Sequence, residues 1–262
     1  MQTPEEPGTT TDHPAERRRA IYLLPNLFTT AAMFAGFYAI IAAMGGRFQT
    51  AAIAIIIAGI LDGLDGRIAR MTNTQSDFGK EYDSMSDLVS FGIAPSLVMY
   101  QWALEGLGGW FWSKIGWLAA FFYAVAAAMR LARFNTQAGT ADRRYFVGIS
   151  SPAAAGLLAT FVWVGNTMGY AGGDLVALAI FFTIAAGALM VSRVRYYSFK
   201  DLNLSQRVSF PVLVMVPLVF ILIALNPPRV LFLMAFFYAL SGPAVMLWRL
   251  WQRRRTAKPE ID

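Results

Sequence analysis

Cysteine is absent from this chain, which removes disulfides, thiolate nucleophiles and thiolate metal sites at once. Histidine is nearly absent. His13, in a polar N-terminal stretch, is the only one, so neither a histidine-based triad nor a histidine-rich zinc site fits. Charge is scarce as well: Asp, Glu, Lys and Arg make up 15% of residues against 56% hydrophobic ones, and the mean hydropathy is +0.48. This balance excludes an ordinary soluble domain and fits an integral membrane protein. The oxygen ligands that remain, Asp and Glu, suit hard cations such as Mg, Mn or Ca.

Residues 1–16 are polar and read as a disordered tail. No secretory signal is read there, because the apolar stretch after Arg17-Arg18-Arg19 is long and lacks a cleavage pattern. Eight apolar segments follow, at roughly 25–45, 50–71, 80–104, 112–135, 149–171, 174–194, 208–226 and 229–251, each long enough or nearly so to span a bilayer. Gly45-Gly46, Gly106 to Gly109, Gly172-Gly173 and Asn226-Pro227-Pro228 punctuate them. If the N-terminus is cytoplasmic and the spans alternate, only Arg47, Lys114 and Arg229 of the 22 basic residues fall outside, leaving 19 inside (22 less 3). That bias is the positive-inside signature. The expected architecture is therefore all-α: a polytopic bundle of about eight transmembrane helices with both termini cytoplasmic. The division is a tail over 1–16, a membrane domain over 17–252 and a basic tail over 253–262. The net charge of +6 comes from basic residues at helix ends, which suits anionic lipid headgroups rather than nucleic acid.

Four aspartates interrupt this apolar chain. Asp62 and Asp65 lie in Asp62-Gly63-Leu64-Asp65-Gly66-Arg67-Ile68-Ala69-Arg70, and Asp83 and Asp87 in Gly79-Lys80-Glu81-Tyr82-Asp83-Ser84-Met85-Ser86-Asp87. Residues three and four apart share a helix face, so Asp62, Asp65, Gly66 and Ala69 form one stripe and Asp83 and Asp87 another. The short connection around Thr72 to Asp77 makes the two helices antiparallel neighbours, with the stripes facing. Carboxylates converging near a bilayer repel unless protonated or bridged, and one or two divalent ions are the simplest bridge. Gly66 and Ala69 leave room for a diphosphate, and Arg70 offers it a positive charge. The competing reading is loop charges pairing with Arg67, Arg70 and Lys80. A third, an acidic cation transporter or channel, calls for acids at the midplane and a duplicated half. These acids sit in one segment near one face, and no repeat is visible.

The pattern D-G-x2-D-G-x2-A-R-x8-G-x3-D-x3-D over residues 62–87 resembles the signature of the CDP-alcohol phosphotransferases. The resemblance implies that Asp62, Asp65, Asp83 and Asp87 bind two divalent metal ions (Mg or Mn), that Asp87 is also the general base, and that Gly66, Ala69, Arg70 and Gly79 take the CDP moiety. Leu24-Pro25-Asn26-Leu27-Phe28-Thr29 is similar to the family's usual opening of its first span. Asn26 either reaches the diphosphate or caps a helix there. Asp83 to Pro95, Arg130 to Asn135, Phe146 to Ala155 and Tyr196 to Lys200 resemble segments of the bacterial and archaeal phosphatidylserine synthases of that family. The chain departs from them at Ile149-Ser150-Ser151, where Leu-Pro and a third residue are usual.

This likeness implies transfer of the phosphatidyl group of CDP-diacylglycerol to L-serine, with CMP leaving by direct displacement. The alternative is the same chemistry with glycerol 3-phosphate, inositol phosphate or choline. Arg130, Arg133, Arg195 and Lys200 are candidates for binding serine or phosphate, the plainer reading being interface anchors. Asn135 either meets substrate or caps its helix. The resemblance further implies a homodimer and, with the lack of cysteine, favours a bacterial inner membrane; the positive-inside bias places the aspartates, and so the active site, near the cytoplasmic face.

Overall fold

The computed structural model describes residues 14–72, 76–105, 110–137, 145–197 and 210–256. Each of the eight apolar segments is helical. In chain order they are α1 (Pro14–Met44), α2 (Phe48–Met71), α3 (Asp77–Asp87), a first π-helical segment (Leu88–Ile93), α4 (Ala94–Met99), a second π-helical segment (Tyr100–Leu104), α5 (Trp110–Gln137), α6 (Ser151–Thr167), a 3₁₀ turn (Gly172–Leu175), α7 (Val176–Val191), α8 (Phe210–Leu225) and α9 (Pro227–Thr256). Four stretches, Leu24–Met44, Lys114–Thr136, Gly172–Val191 and Pro227–Arg249, are long and apolar enough to cross a membrane.

α1 and α2 fold back on each other through a tight glycine turn. Gly46 adopts φ 70°, Arg47 N–H reaches back to Ala42 O at 2.8 Å and Gly46 N–H to Ala43 O at 2.9 Å, a Schellman closure that needs a left-handed residue. The two helices then meet along small side chains: Ala35, Ala39, Ala42 and Ala43 of α1, and Ala51, Ala52, Ala54 and Ala58 of α2 are all buried. Such small residues allow close backbone approach, so the seam is held by van der Waals contact along its length.

The third apolar segment is not one α-helix. Pro95, in α4, has no N–H with which to bond Phe91 O four residues back. Tyr123 of α5 takes that carbonyl instead, its hydroxyl donating to Phe91 O at 3.0 Å. The helix widens to π geometry just before Pro95, and π turns concentrate at functional sites. Ser86 and Ser90 tie this rod to α1 by donating to Thr29 O and Ala32 O, both at 3.1 Å. A Cβ on Gly36 would stand 2.6 Å from the Ser90 Cα, so a larger residue there would drive α1 away. At the other end Trp102 fills the space left by Gly165 and Gly172 and packs edge-on against Phe161. Phe161, Phe182, Phe232 and Phe236 continue that cluster across α6, α7 and α9.

Several boundaries differ from the sequence reading. α1 begins at Pro14 and runs through Pro25, so Asn26 lies inside a helix and cannot be its N-cap. α9 continues to Thr256, into the basic stretch expected to be tail, while residues 1–13 lie outside those described. A short antiparallel ladder was not anticipated: β1 (Tyr145–Val147) pairs with β2 (Arg195–Tyr197), Tyr145 opposite Tyr197 and Val147 opposite Arg195. It joins the segments that follow α5 and α7. Tyr196 anchors it to α9. Its ring lies where a Cβ on Gly242 would be, and its hydroxyl donates to Ala239 O at 2.9 Å. Burial pushes the Tyr196 phenol up to about 12, so it remains a donor.

Gly148 follows β1 with φ +83°, and a Cβ there would sit 2.3 Å from Met190 O. Gly46 shares the positive φ but has nothing within 4 Å of its missing Cβ. Gly148→Ala should therefore cost about 2–4 kcal/mol, combining strain and clash, against roughly 1 kcal/mol for Gly46→Ala. Thermal unfolding of the two variants in detergent checks the order.

Candidate active site

The site forms where the C-terminal half of α2 meets α3. Ser76 starts α3 with its hydroxyl accepting the Gly79 N–H at 3.0 Å, the capping expected of serine. That start sets the helix phase which turns Asp83 and Asp87 toward α2. One carboxylate oxygen from each of Asp62, Asp83 and Asp87 lies within 4.8 Å of the other two. Asp62 and Asp87 approach to hydrogen-bonding distance, which two carboxyls do only by sharing a proton or a cation. Oδ1 of Asp83 is buried with no hydrogen-bond partner. Leaving such an oxygen unsatisfied costs about 1–3 kcal/mol, more if charged. Three hard oxygen ligands, one of them orphaned, fit a divalent cation.

Asp65 stands apart from that trio. It is 4% exposed, and its Oδ2 accepts the Thr29 hydroxyl at 2.7 Å. It is still near enough for its charge to repel Asp83. The four aspartates thus meet as three plus one, with Thr29 of α1 orienting the fourth. Thr29 also donates to Pro25 O at 3.1 Å, one turn back.

The remaining motif residues line the approaches. Added Cβ atoms on Gly63 and Gly66 would meet nothing within 4 Å, so the α2 face beside Asp62 and Asp65 is open. Arg70 is exposed and its Nε donates to Gly66 O at 2.8 Å. Gly79 lies by Asn26: a Cβ there would be 3.6 Å from Asn26 Oδ1. Ala69 is half-buried on the same turn as Arg70.

α5 closes the other side. Arg130 lies within electrostatic reach of both Asp62 and Asp87, and its Nη1 donates to Ser151 Oγ at 2.8 Å. Asn135 is within the last turn of α5, yet its side chain does not cap: Nδ2 donates to Ser84 Oγ at 2.9 Å, fastening α5 to the face of α3 between Asp83 and Asp87. Arg133 donates to Val147 O at 2.6 Å and Val191 O at 3.4 Å, binding β1 to the end of α7. The backbone of Arg195 pairs with Val147, and Lys200 lies outside the described residues. Sequence reasoning assigned no role to Thr29, Ser84 or Ser151. Thr29 alone had a readable signal, a hydroxyl one turn after Pro25 on the face that must meet the motif.

The model of the CDP-alcohol phosphatidyltransferase family matches residues 22–194, a stretch that takes in all four aspartates, Arg130 and Gly148. The chain belongs to this family. Among curated relatives in the family, a Helicobacter pylori protein named CDP-diacylglycerol–serine O-phosphatidyltransferase is 39% identical over 201 residues, covering 77% of this chain and 83% of its own length. A Mycobacterium leprae protein of the same name is 39% identical over 159 residues, 57% of this chain and 51% of its own. An archaetidylserine synthase of Methanothermobacter thermautotrophicus is 30% identical over 175 residues, 66% of this chain and 69% of its own.

A cation held by the trio would relieve its repulsion, so Mn or Mg should raise the thermal midpoint by several degrees over chelator. Asp62→Asn removes one like charge: under chelator its midpoint should equal or exceed that of the unaltered protein, while most of the metal-induced rise disappears. Unfolding scans with and without metal measure both.

Proposed function

We propose that this protein transfers the phosphatidyl group of CDP-diacylglycerol to the hydroxyl of L-serine, giving phosphatidylserine and CMP. The observation that carries the reading is the convergence of Asp62, Asp83 and Asp87 in a chain of this family, with relatives named for serine transfer. Asp62, Asp83 and Asp87, joined by Asp65, would hold two divalent ions, Mg or Mn. When bound, those ions offset the charge of the diphosphate and of the departing nucleotide.

The chain's own groups do the rest. Asp87 accepts the proton of the serine hydroxyl as its oxygen bonds to the diacylglycerol-linked phosphorus. The bond from that phosphorus to the bridging oxygen breaks, and its electron pair leaves on CMP. Gly66 and Ala69 leave space for the nucleotide, and Arg70 attracts its phosphates. Asn26 and Gly79 flank it from α1 and α3. Arg195 and Lys200 remain candidates for acceptor or lipid phosphate.

In the membrane we place all eight helical segments across the bilayer, with the polar and basic ends (1–16 and 253–262) and the site at the cytoplasmic face. The 19 basic residues assigned to that side support this, and a bacterial inner membrane and a homodimer complete the reading. A transporter is disfavoured, because the carboxylates gather at one end of one helix pair in a family of transferases.

The test is CMP release from CDP-diacylglycerol by purified protein in detergent with Mn or Mg. Release should depend on L-serine and fall about 10²–10⁴-fold in Asp87→Asn. Release with glycerol 3-phosphate, inositol phosphate or choline in place of serine would keep the catalytic core and replace the acceptor.

A further inference from the structure

The carboxylates explain how the donor lipid is held and how the hydroxyl is activated, but they offer no partner to the carboxylate that the zwitterionic acceptor carries. A serine whose hydroxyl meets Asp87 has its carboxylate only one carbon removed from the carbon bearing that hydroxyl. It must therefore sit beside the acidic cluster, where it needs a hydrogen-bonding partner of its own.

The basic side chains around the site are not equivalent. Arg70 is exposed at the end of α2 and bonds Gly66 O, on the open glycine face. Arg67 and Lys80 are exposed. Arg133 is tied to two backbone carbonyls. Arg130 differs from all of these: it is partly buried, and both Asp62 and Asp87 feel its charge. Its position is fixed from two directions, by Ser151 Oγ at 2.8 Å and by the Phe134 ring, whose centroid lies 5.9 Å from the guanidinium carbon. Among the described residues Ser151 is its one hydrogen-bond partner. A guanidinium has five N–H donors in a planar fork suited to carboxylate, so most of the fork is left for an incoming group. Ser151 opens α6, and Ser150 before it makes no side-chain cap bond. The positive end of that helix dipole adds to the same field.

We propose that Arg130 is the specificity residue that grips the carboxylate of the amino-acid acceptor beside Asp87, with Ser151 orienting it. The proposal rests on the serine-transfer reading above. It assigns Arg130 to the acceptor rather than to the nucleotide or the lipid phosphate. A choline acceptor would gain nothing from such a group, since like charges would meet.

The experiment compares L-serine with L-serinamide, which keeps the hydroxyl and amine but lacks the carboxylate. The unaltered enzyme should strongly prefer serine. In Arg130→Gln the KM for serine should rise at least about tenfold, the serine-to-serinamide preference should collapse, and the KM for CDP-diacylglycerol should change less than about threefold. Arg130→Lys, which keeps charge but not the fork, should recover part of the preference. Ser151→Ala, a milder change in case the glutamine variant is unstable, should raise the serine KM severalfold with kcat largely kept. An equal loss with serine and serinamide would make Arg130 a structural countercharge and overturn the proposal. So would a rise confined to the CDP-diacylglycerol KM, which would move the grip to a phosphate. An unaltered enzyme that uses glycerol 3-phosphate but not serine would overturn this proposal together with the reading beneath it. Serine transfer with an unchanged preference in the variants would overturn this proposal alone.

Discussion

Carboxyl groups gather in a poorly solvated place only if packing holds them together and a shared proton or cation relieves their repulsion, and the helices around the site supply the packing. At the 4.8 Å limit within which the trio lies, each pair, if ionised, would repel by at least about 3.5 kcal/mol at an effective dielectric of 20. Three such pairs rival the net stability of an ordinary domain. The force that opposes them comes from elsewhere: the alanine seam between α1 and α2, the two serine bonds from α3 and its π extension to α1, and the Asn135–Ser84 bond from α5. Remove these and the carboxylates part. The catalytic potential is stored as packing.

The helices that meet at the site are not regular. α1 carries a proline one turn before Thr29, and the rod that starts with α3 widens twice into π geometry. Backbone groups freed by these irregularities are recaptured by side chains, as Phe91 O is by Tyr123. That recapture fixes α5 against the rod one turn beyond Asp87. α8 and α9, farther from the chemistry, turn many large apolar side chains outward. Apart from the Tyr196 anchor and the phenylalanine cluster, they contribute bulk.

Helix positions and the acidic cluster were both readable from the sequence, for different physical reasons. Apolar runs between glycine and proline breaks mark where helices form, and all eight segments reappear as helical, four of them with stretches long and apolar enough to cross a membrane. The aspartates record spacing on a helix face, and three of the four converge as that spacing requires. Asp65 escapes the rule because a hydroxyl from a third helix draws it away, and no period along α2 contains information about α1. The β1–β2 ladder was hidden for a similar reason: its strands are three residues each, and their pairing depends on where α5 and α7 end. Asn135 shows how a cap residue at a helix end can be diverted by a partner in space. Arg130 and Arg133 look alike in the chain, three residues apart, and only the fold separates the one facing the acids from the one facing carbonyls.

The π turn over Leu88–Ile93 has a further implication for how this chain tolerates length changes. A π turn holds one more residue than the α turn it replaces, and each α-helical residue rotates the face by about 100°. Upstream of it are the catalytic acids; downstream is Trp102, wedged between Gly165 and Gly172. The turn therefore works as a phase adjuster, letting the two ends of one rod satisfy two docking sites that a uniform helix would set out of register. Loss of a single residue inside it would turn the wide turn into an ordinary α turn and leave both ends near their partners, whereas loss of one from a regular α turn of the same rod would swing one end by about 100°.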